Sequence, residues 1–145
     1  MKKKSILNDV IGPIMRGPSS SHTGAAYHIA KLVKMVVQDD FKKVDIIFNE
    51  NSSWAQVYRM QNSEFAFIAG LIDYSIFNED FFDLKEIIKE RNISIGFQIQ
   101  KIDEADHPNF VKLVIIYKND KKLVITAKSI GGGMVILEKL NDWSV

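Results

Sequence analysis

The sequence lacks cysteine altogether and contains only three prolines among its 145 residues. The absence of thiols excludes disulfides, thiolate nucleophiles and thiolate metal ligands from this chain. Excess charge of one sign is also missing, since the formal net charge is +1 at pH 7. Without a broad electrostatic field, nucleic acid and anionic membranes are not expected as partners, and small specific ligands are favoured.

Long hydrophobic runs are missing as well. The opening run of three lysines, residues 2–4, is followed by a mixed stretch and not by the apolar region of a signal peptide. No run reaches the roughly 18 apolar residues that a membrane-spanning helix needs. We therefore expect a cytoplasmic protein, and the 46% hydrophobic content predicts one domain over residues 1–145 with a core of its own.

The period of the apolar residues changes along the chain from helical to strand-like. Helices are predicted over residues 21–37, over 54–72 in two pieces, and over 83–91. Strands are predicted over residues 43–49, 93–99, 111–117, 123–127 and 134–140, with a hairpin turn in the polar spacer 118–122. This order predicts an α+β fold with helices packed on one face of a mostly antiparallel sheet.

The most informative segment is a run of hydrogen-bonding side chains in front of the first predicted helix. It consists of Ser19, Ser20, Ser21, His22 and Thr23. Free backbone N–H groups at a helix start, together with hydroxyls, favour a carboxylate or a phosphate, and His22 can donate a hydrogen bond or move a proton. The alternative is that the serines only cap the helix while His22 lies at its surface.

A second segment, Ser129 to Gly133, has three consecutive glycines between two predicted strands. Glycines at this density indicate a bend with positive φ, or room for a ligand or another backbone, so Gly131 and Gly132 are candidate substrate-binding residues. The alternative is a loose hairpin turn or a bulge. The spacing does not match a dinucleotide-binding motif, because a strand and not a helix follows.

A third segment lies between predicted strands and reads Asp106, His107, Pro108, Asn109. By itself it is typical of a turn, since Asp and Asn favour local backbone hydrogen bonds. With three histidines and no close pair at ligand spacing, the chain gives no case for a zinc site of its own. We interpret His28, on the first predicted helix, as a packed or surface residue.

These segments together resemble the β subunit of iron-sulfur-dependent L-serine dehydratases. Residues 9–25 are similar to the opening of that subunit, and residues 106–109 and 129–133 are similar to two further segments of it in the same order. The resemblance covers roughly residues 6–140. It implies a domain similar to the allosteric substrate-binding domain of some phosphoglycerate dehydrogenases, which agrees with the α+β order of elements.

The resemblance also implies a reaction, a cofactor and a partner. In this family a partner α subunit holds a 4Fe-4S cluster through cysteines, and one iron acts as a Lewis acid on the hydroxyl of L-serine while a base removes the α proton. Loss of water then leads to pyruvate and ammonia. The residues implied in binding the small amino-acid substrate are Ser19, Ser20, Ser21, His22 and Thr23. A second copy of the chain, forming a homodimer, stays an open alternative as a further partner.

Two departures from the family pattern bear on function. Where the family carries a histidine after a Tyr-Lys or Tyr-Arg pair, this chain has Tyr58 and Arg59 followed by Gln61 in the histidine position. A glutamine hydrogen-bonds but does not accept a proton near neutral pH, so Gln61 is a catalytic candidate of altered role. The sequence also ends without the ACT domain of many relatives. A non-catalytic domain that binds small carboxylates is therefore the alternative function, and a purely structural module is the third.

Overall fold

The computed structural model describes residues 12–38 and 41–145 and shows an α+β fold, as predicted. The helical elements are a π-helical turn at Ser20–Gly24, α1 at Ala25–Val37, α2 at Ser53–Val57, α3 at Ser63–Leu71, a 3-10 turn at Glu79–Asp83, and α4 at Leu84–Glu90. The strands are β1 at Phe41–Asn49, β2 at Ser94–Gln100, β3 at Phe110–Tyr117, β4 at Lys122–Gly131, β5 at Met134–Leu140 and β6 at Trp143–Ser144.

The six strands form one sheet in the order β2-β1-β3-β4-β5-β6. All neighbouring pairs are antiparallel except β1 and β2, which run parallel because the chain returns to the same end of the sheet through α2, α3 and α4. The prediction of a mostly antiparallel sheet is therefore confirmed. The short strand β6 and the 3-10 turn before α4 were not predicted, since each is too brief to show a period.

The helices pack on one face of the sheet over a single large core. Helix α1 buries Ile29 and Val33 because apolar residues recur on one side of it at helical spacing. Phe48 from β1 and Trp54 from α2 are fully buried in the same core, with ring centroids 5.8 Å apart. Among the described helices, none combines the length and apolar character needed to cross a membrane.

Helix α3 lies directly against α1 at Gly70. A Cβ atom placed on Gly70 would lie 2.5 Å from the Cβ of Ala30 and 2.6 Å from the carbonyl oxygen of Tyr27. The missing side chain therefore allows the two helices to approach closely. This contact sets the position of α3, and of the turn before it, relative to the start of α1.

The connection from β2 to β3 is held on the other face of the sheet by a small apolar cluster. Ile102 and Phe110, at the two ends of this connection, bury against Ile47 of β1. The backbone N–H of Ile102 also donates to the Oδ1 of Asn49, over 3.0 Å. The segment 106–109 is thereby fixed beside the end of β1.

Candidate functional site

The serine segment forms the start of a long helical stretch. Ser19 is the N-cap, with extended φ and ψ of −132° and 126°, and its hydroxyl accepts a hydrogen bond from the N–H of His22 over 3.2 Å. The N–H of Gly24 donates to the carbonyl of Ser19, which closes a π-helical turn before α1 begins. The capping interpretation is therefore right for Ser19. π-helical turns are rare in proteins, and many of those that occur lie at functional sites.

His22 is half-buried and has hydrogen-bond partners at both ring nitrogens. Nδ1 lies 3.1 Å from the hydroxyl oxygens of both Ser19 and Ser21. Nε2 lies 3.1 Å from the hydroxyl oxygen of Ser53. The ring also meets the edge of Trp54, with centroids 5.9 Å apart at 89°. The alternative of a surface histidine is therefore wrong, because four neighbours fix the orientation of the imidazole.

Ser53 comes from a segment distant in sequence. It follows β1, and it opens α2, where the hydroxyl of Ser52 caps the helix by accepting from the N–H of Ala55 over 3.0 Å. The Ser53 N–H donates to the carbonyl of Pro108 over 3.0 Å, and its hydroxyl donates to the Oδ1 of Asn109. Strands β1 and β3 are neighbours, so the segment after β1 meets the segment before β3.

Thr23 faces the interior and ties the π-helical turn to the loop between α2 and α3. Its hydroxyl donates to the carbonyl oxygen of Gln61 over 2.6 Å, and only 1% of Thr23 is exposed. Gln61 thus lies beside the serine segment, but this bond uses its main chain and does not depend on its side chain. Within the described residues, the Oε1 of Gln61 and the Nε1 of Trp54 are buried without a hydrogen-bond partner.

The glycine segment forms the hairpin turn between β4 and β5. Gly131, Gly132 and Gly133 have φ of 95°, 62° and 78°, so the predicted bend with positive φ is confirmed. The N–H of Ser129, which is fully buried, donates to the carbonyl of Asn109 over 3.1 Å. Among the described contacts, no hydrogen bond joins Gly131 or Gly132 to His22.

Met15 links this hairpin to the start of the helix. A Cβ atom on Gly24 would lie 2.8 Å from the Sδ of Met15, and a Cβ on Gly133 would also collide with the same sulfur. The space that Gly133 leaves is thus filled by the side chains of Met15 and Pro13 and not by another backbone. Residues 9–11, which also carried the resemblance, lie outside the described residues.

Arg16, next to Met15, is held against the helical side of the molecule. Its guanidinium donates to the carbonyl of Ile76 over 2.5 Å and lies 4.4 Å from the ring centre of Phe81. Cation–π contacts of this kind contribute about 1 kcal/mol at partly exposed sites. The segment that leads into the serines is therefore held by Met15 at the hairpin and by Arg16 at the helical side.

Sequence reasoning missed Ser53 and Trp54 as members of the site. Serines after a strand and before an aromatic residue indicate a helix N-cap, which Ser52 confirms, but this pattern does not show what Ser53 will contact. Asn109 lies in the segment 106–109, which the sequence indicated as a turn and not as part of the site. His28, by contrast, lies away from these residues and hydrogen-bonds through Nε2 to the carbonyl of Ile14 over 3.0 Å.

Burial lowers the pKa of His22 below its ordinary value near 6.5. The folded chain therefore disfavours the imidazolium more than the unfolded chain does, and the unfolded chain binds more protons below that pH. We expect the free energy of unfolding to fall as pH drops from about 6.5 toward the folded-state pKa, and then to stop falling from this cause. Urea unfolding of wild type and His22→Gln between pH 5 and 7.5 measures this effect. If the free energy of unfolding had the same pH dependence in the two proteins, this prediction would be wrong.

The donor set does not fit an iron-sulfur cluster held by this chain. The sequence contains no cysteine, and the described residues contain no group of three or more His, Asp or Glu side chains placed to hold a metal. The polar groups that contact the His22 ring are instead the hydroxyls of Ser19, Ser21 and Ser53. Such donors suit a small anion or a hydroxylated amino acid.

Known proteins resemble this chain over nearly its whole length. No family model matches. The chain is 33% identical over 147 residues to the "Probable L-serine dehydratase, beta chain" of Bacillus subtilis, which covers 100% of this chain and 64% of that protein. It is 29% identical over 137 residues to the "L-serine dehydratase, beta chain" of Peptoniphilus asaccharolyticus, which covers 94% of this chain and 61% of that protein.

The similarity thus extends over nearly all of this chain, including each of the three segments described above. The chain spans less than two thirds of the length of either curated relative. It combines this similarity with a hydroxyl-lined histidine at a helix start and with an α+β fold. Over nearly its whole length the chain is similar to two proteins named as L-serine dehydratase beta chains.

Proposed function

We propose that this chain is the beta subunit of an L-serine dehydratase that converts L-serine to pyruvate and ammonia. The names of the two relatives support the subunit role. The observation that carries the proposal is the His22 imidazole, which three serine hydroxyls hold at both nitrogens next to a helix start. This arrangement combines a group able to move a proton with donors for a carboxylate.

In this proposal the serine segment binds the carboxylate of the substrate. Ser20 is exposed, and Ser19 and Ser21 present hydroxyls that can turn from Nδ1 of His22 toward an anion. The helix dipole and the free N–H groups of the first turn stabilise a bound carboxylate by about 0.3–1 kcal/mol. Thr23 anchors the turn, because its hydroxyl is already bonded to the Gln61 carbonyl.

The 4Fe-4S cluster and the alpha subunit are part of the proposal and come from outside this chain. Since the chain has no thiolate, the cluster belongs to the alpha chain, and the beta chain contributes the residues around His22. A complete site then needs both chains. We infer that the face bearing the serine segment meets the alpha chain.

One observation favours a second function, a non-catalytic domain that binds small carboxylates. Gln61 stands beside Thr23, where the family resemblance places a histidine, and an amide does not accept a proton near neutral pH. If proton transfer needs that histidine, the chain would bind L-serine without turning it over. We still prefer the catalytic function, because His22 supplies a neutral imidazole at the same end of the molecule.

Anaerobic reconstitution with an L-serine dehydratase alpha chain from the same organism tests the proposal. We expect the two-chain complex to form pyruvate from L-serine, while the alpha chain alone does not. A stable complex that has an intact cluster and shows no turnover would contradict the catalytic function. Calorimetry of the isolated chain with L-serine then separates the alternatives, because a binding domain must take up the ligand without the alpha chain.

A further inference from the structure

We propose that Ser53 and Asn109 are positioning residues that fix the protonation pattern of His22, with the proton on Nε2 and the lone pair on Nδ1. The pattern itself is a property of this chain, whereas its use in the reaction rests on the proposed function. Neither residue stood out from the sequence as part of the site.

The first step concerns the hydroxyl proton of Ser53. Two atoms that only accept hydrogen bonds face this hydroxyl, namely the carbonyl oxygen of Pro108 at 3.2 Å and the Oδ1 of Asn109. The single proton of Ser53 therefore points to that side. The Ser53 oxygen can then only accept from His22, so Nε2 carries a proton and donates it over 3.1 Å.

The second step concerns the opposite edge of the ring. The oxygen of Ser19 already accepts from the backbone N–H of His22, which leaves its own proton free for Nδ1. Ser21 offers a second hydroxyl at the same distance of 3.1 Å, and the two serine oxygens lie 3.4 Å apart. A lone pair on Nδ1 satisfies these donors, whereas a proton there would compete with them.

The third step is that Asn109 is itself fixed. Its backbone N–H donates to Nδ1 of His107 over 3.0 Å, and its carbonyl accepts from the N–H of buried Ser129 over 3.1 Å. Both backbone groups of Asn109 are thus bonded, and its Oδ1 is presented to Ser53. A fixed acceptor of this kind sets the tautomer and the orientation of an imidazole.

His22 is therefore a base whose lone pair has a fixed direction. With the proton held at Nε2, the only lone pair of the ring points to Ser19 and Ser21, the side on which the proposal places the substrate. Desolvation by burial favours the neutral ring, which is the form that accepts a proton. Ser53 and Asn109 touch neither substrate nor reacting atoms, so their effect acts through His22.

Nitrogen-15 NMR of the whole chain labelled at histidine measures the tautomer directly. The three histidine signals are assigned with His22→Gln and His28→Gln. At a pH where His22 is neutral, we expect a protonated Nε2 and an unprotonated Nδ1. Ser53→Ala should move the population toward the Nδ1-protonated form, and Asn109→Ala should do so in part. Ser53→Thr, which keeps the hydroxyl, should retain the wild-type pattern.

A wild-type chain with the proton on Nδ1, or a Ser53→Ala variant with an unchanged tautomer, would overturn the positioning role. Circular dichroism and urea unfolding confirm that each variant is folded before it is compared. In the reconstituted enzyme we expect Ser53→Ala to lower kcat at least 10-fold with a smaller change in KM. The NMR result needs no alpha chain, so an inactive complex with the expected tautomer refutes the catalytic proposal alone.

Discussion

Replacing His22 by alanine is expected to lower pyruvate formation by the reconstituted enzyme about 100- to 10,000-fold, the range that a positioned acid or base contributes. The reason is that His22 brings the one imidazole that is held between the hydroxyls of Ser19, Ser21 and Ser53. The measurement is the initial rate of pyruvate formation from L-serine at saturating substrate. The loss should appear in kcat.

His28→Ala is the matched control for this substitution. His28 lies on α1, which follows the π-helical turn that carries His22, and its described hydrogen bond goes to the carbonyl of Ile14 and not to a serine hydroxyl. We expect its rate to stay within a factor of about three of wild type, corresponding to less than about 1 kcal/mol in the barrier. If His22→Ala retained wild-type turnover in a folded complex, the assignment of His22 as the catalytic group would be wrong.

The second large effect concerns stability and arises at Gly70. Gly70→Ala should lower the free energy of unfolding by about 3 kcal/mol, the upper part of the range for overpacking. The added methyl group would meet the Cβ of Ala30 and the backbone oxygen of Tyr27, and a helix backbone does not move aside cheaply. This cost exceeds the gain of about 1 kcal/mol that alanine brings to a helix.

Urea unfolding compares Gly70→Ala with Gly17→Ala, whose added Cβ would have nothing within 4 Å. We expect the Gly17 variant to change stability by about 0.5 kcal/mol or less. The double variant Gly70→Ala with Ala30→Gly removes one of the two collisions and should recover part of the loss. Equal stability of Gly70→Ala and wild type would show that α1 and α3 can separate without cost.

Local patterns predicted much of the fold because they depend on neighbouring residues. The spacing of Ile29 and Val33 predicted α1, and residue type and place before the helix made the serines 19–21 cap candidates, of which Ser19 is the cap. The positive φ at the glycine hairpin followed from three glycines in a row. Each of these features is decided within a few residues of chain.

Features that depend on distant pairing could not be predicted in this way. Ser53 and Asn109 meet because β1 lies beside β3 in the sheet, and the period of a strand does not show which strand it will join. The parallel pairing of β1 with β2 escaped prediction for the same reason. The close approach of Tyr27 to Gly70 is likewise visible only in three dimensions.

The pairing of β1 with β3 also has a kinetic consequence. Phe48 pairs with Val111 across these strands, whereas the hairpins of β3 with β4 and of β4 with β5 join segments close in sequence. Closing the long loop between β1 and β3 costs more chain entropy than closing a hairpin, and this cost arises before the strands make stabilising contacts. Ser53 therefore acquires its Asn109 partner only once these two remote strands have met, so the acceptor that orients the Ser53 hydroxyl is in place late in folding.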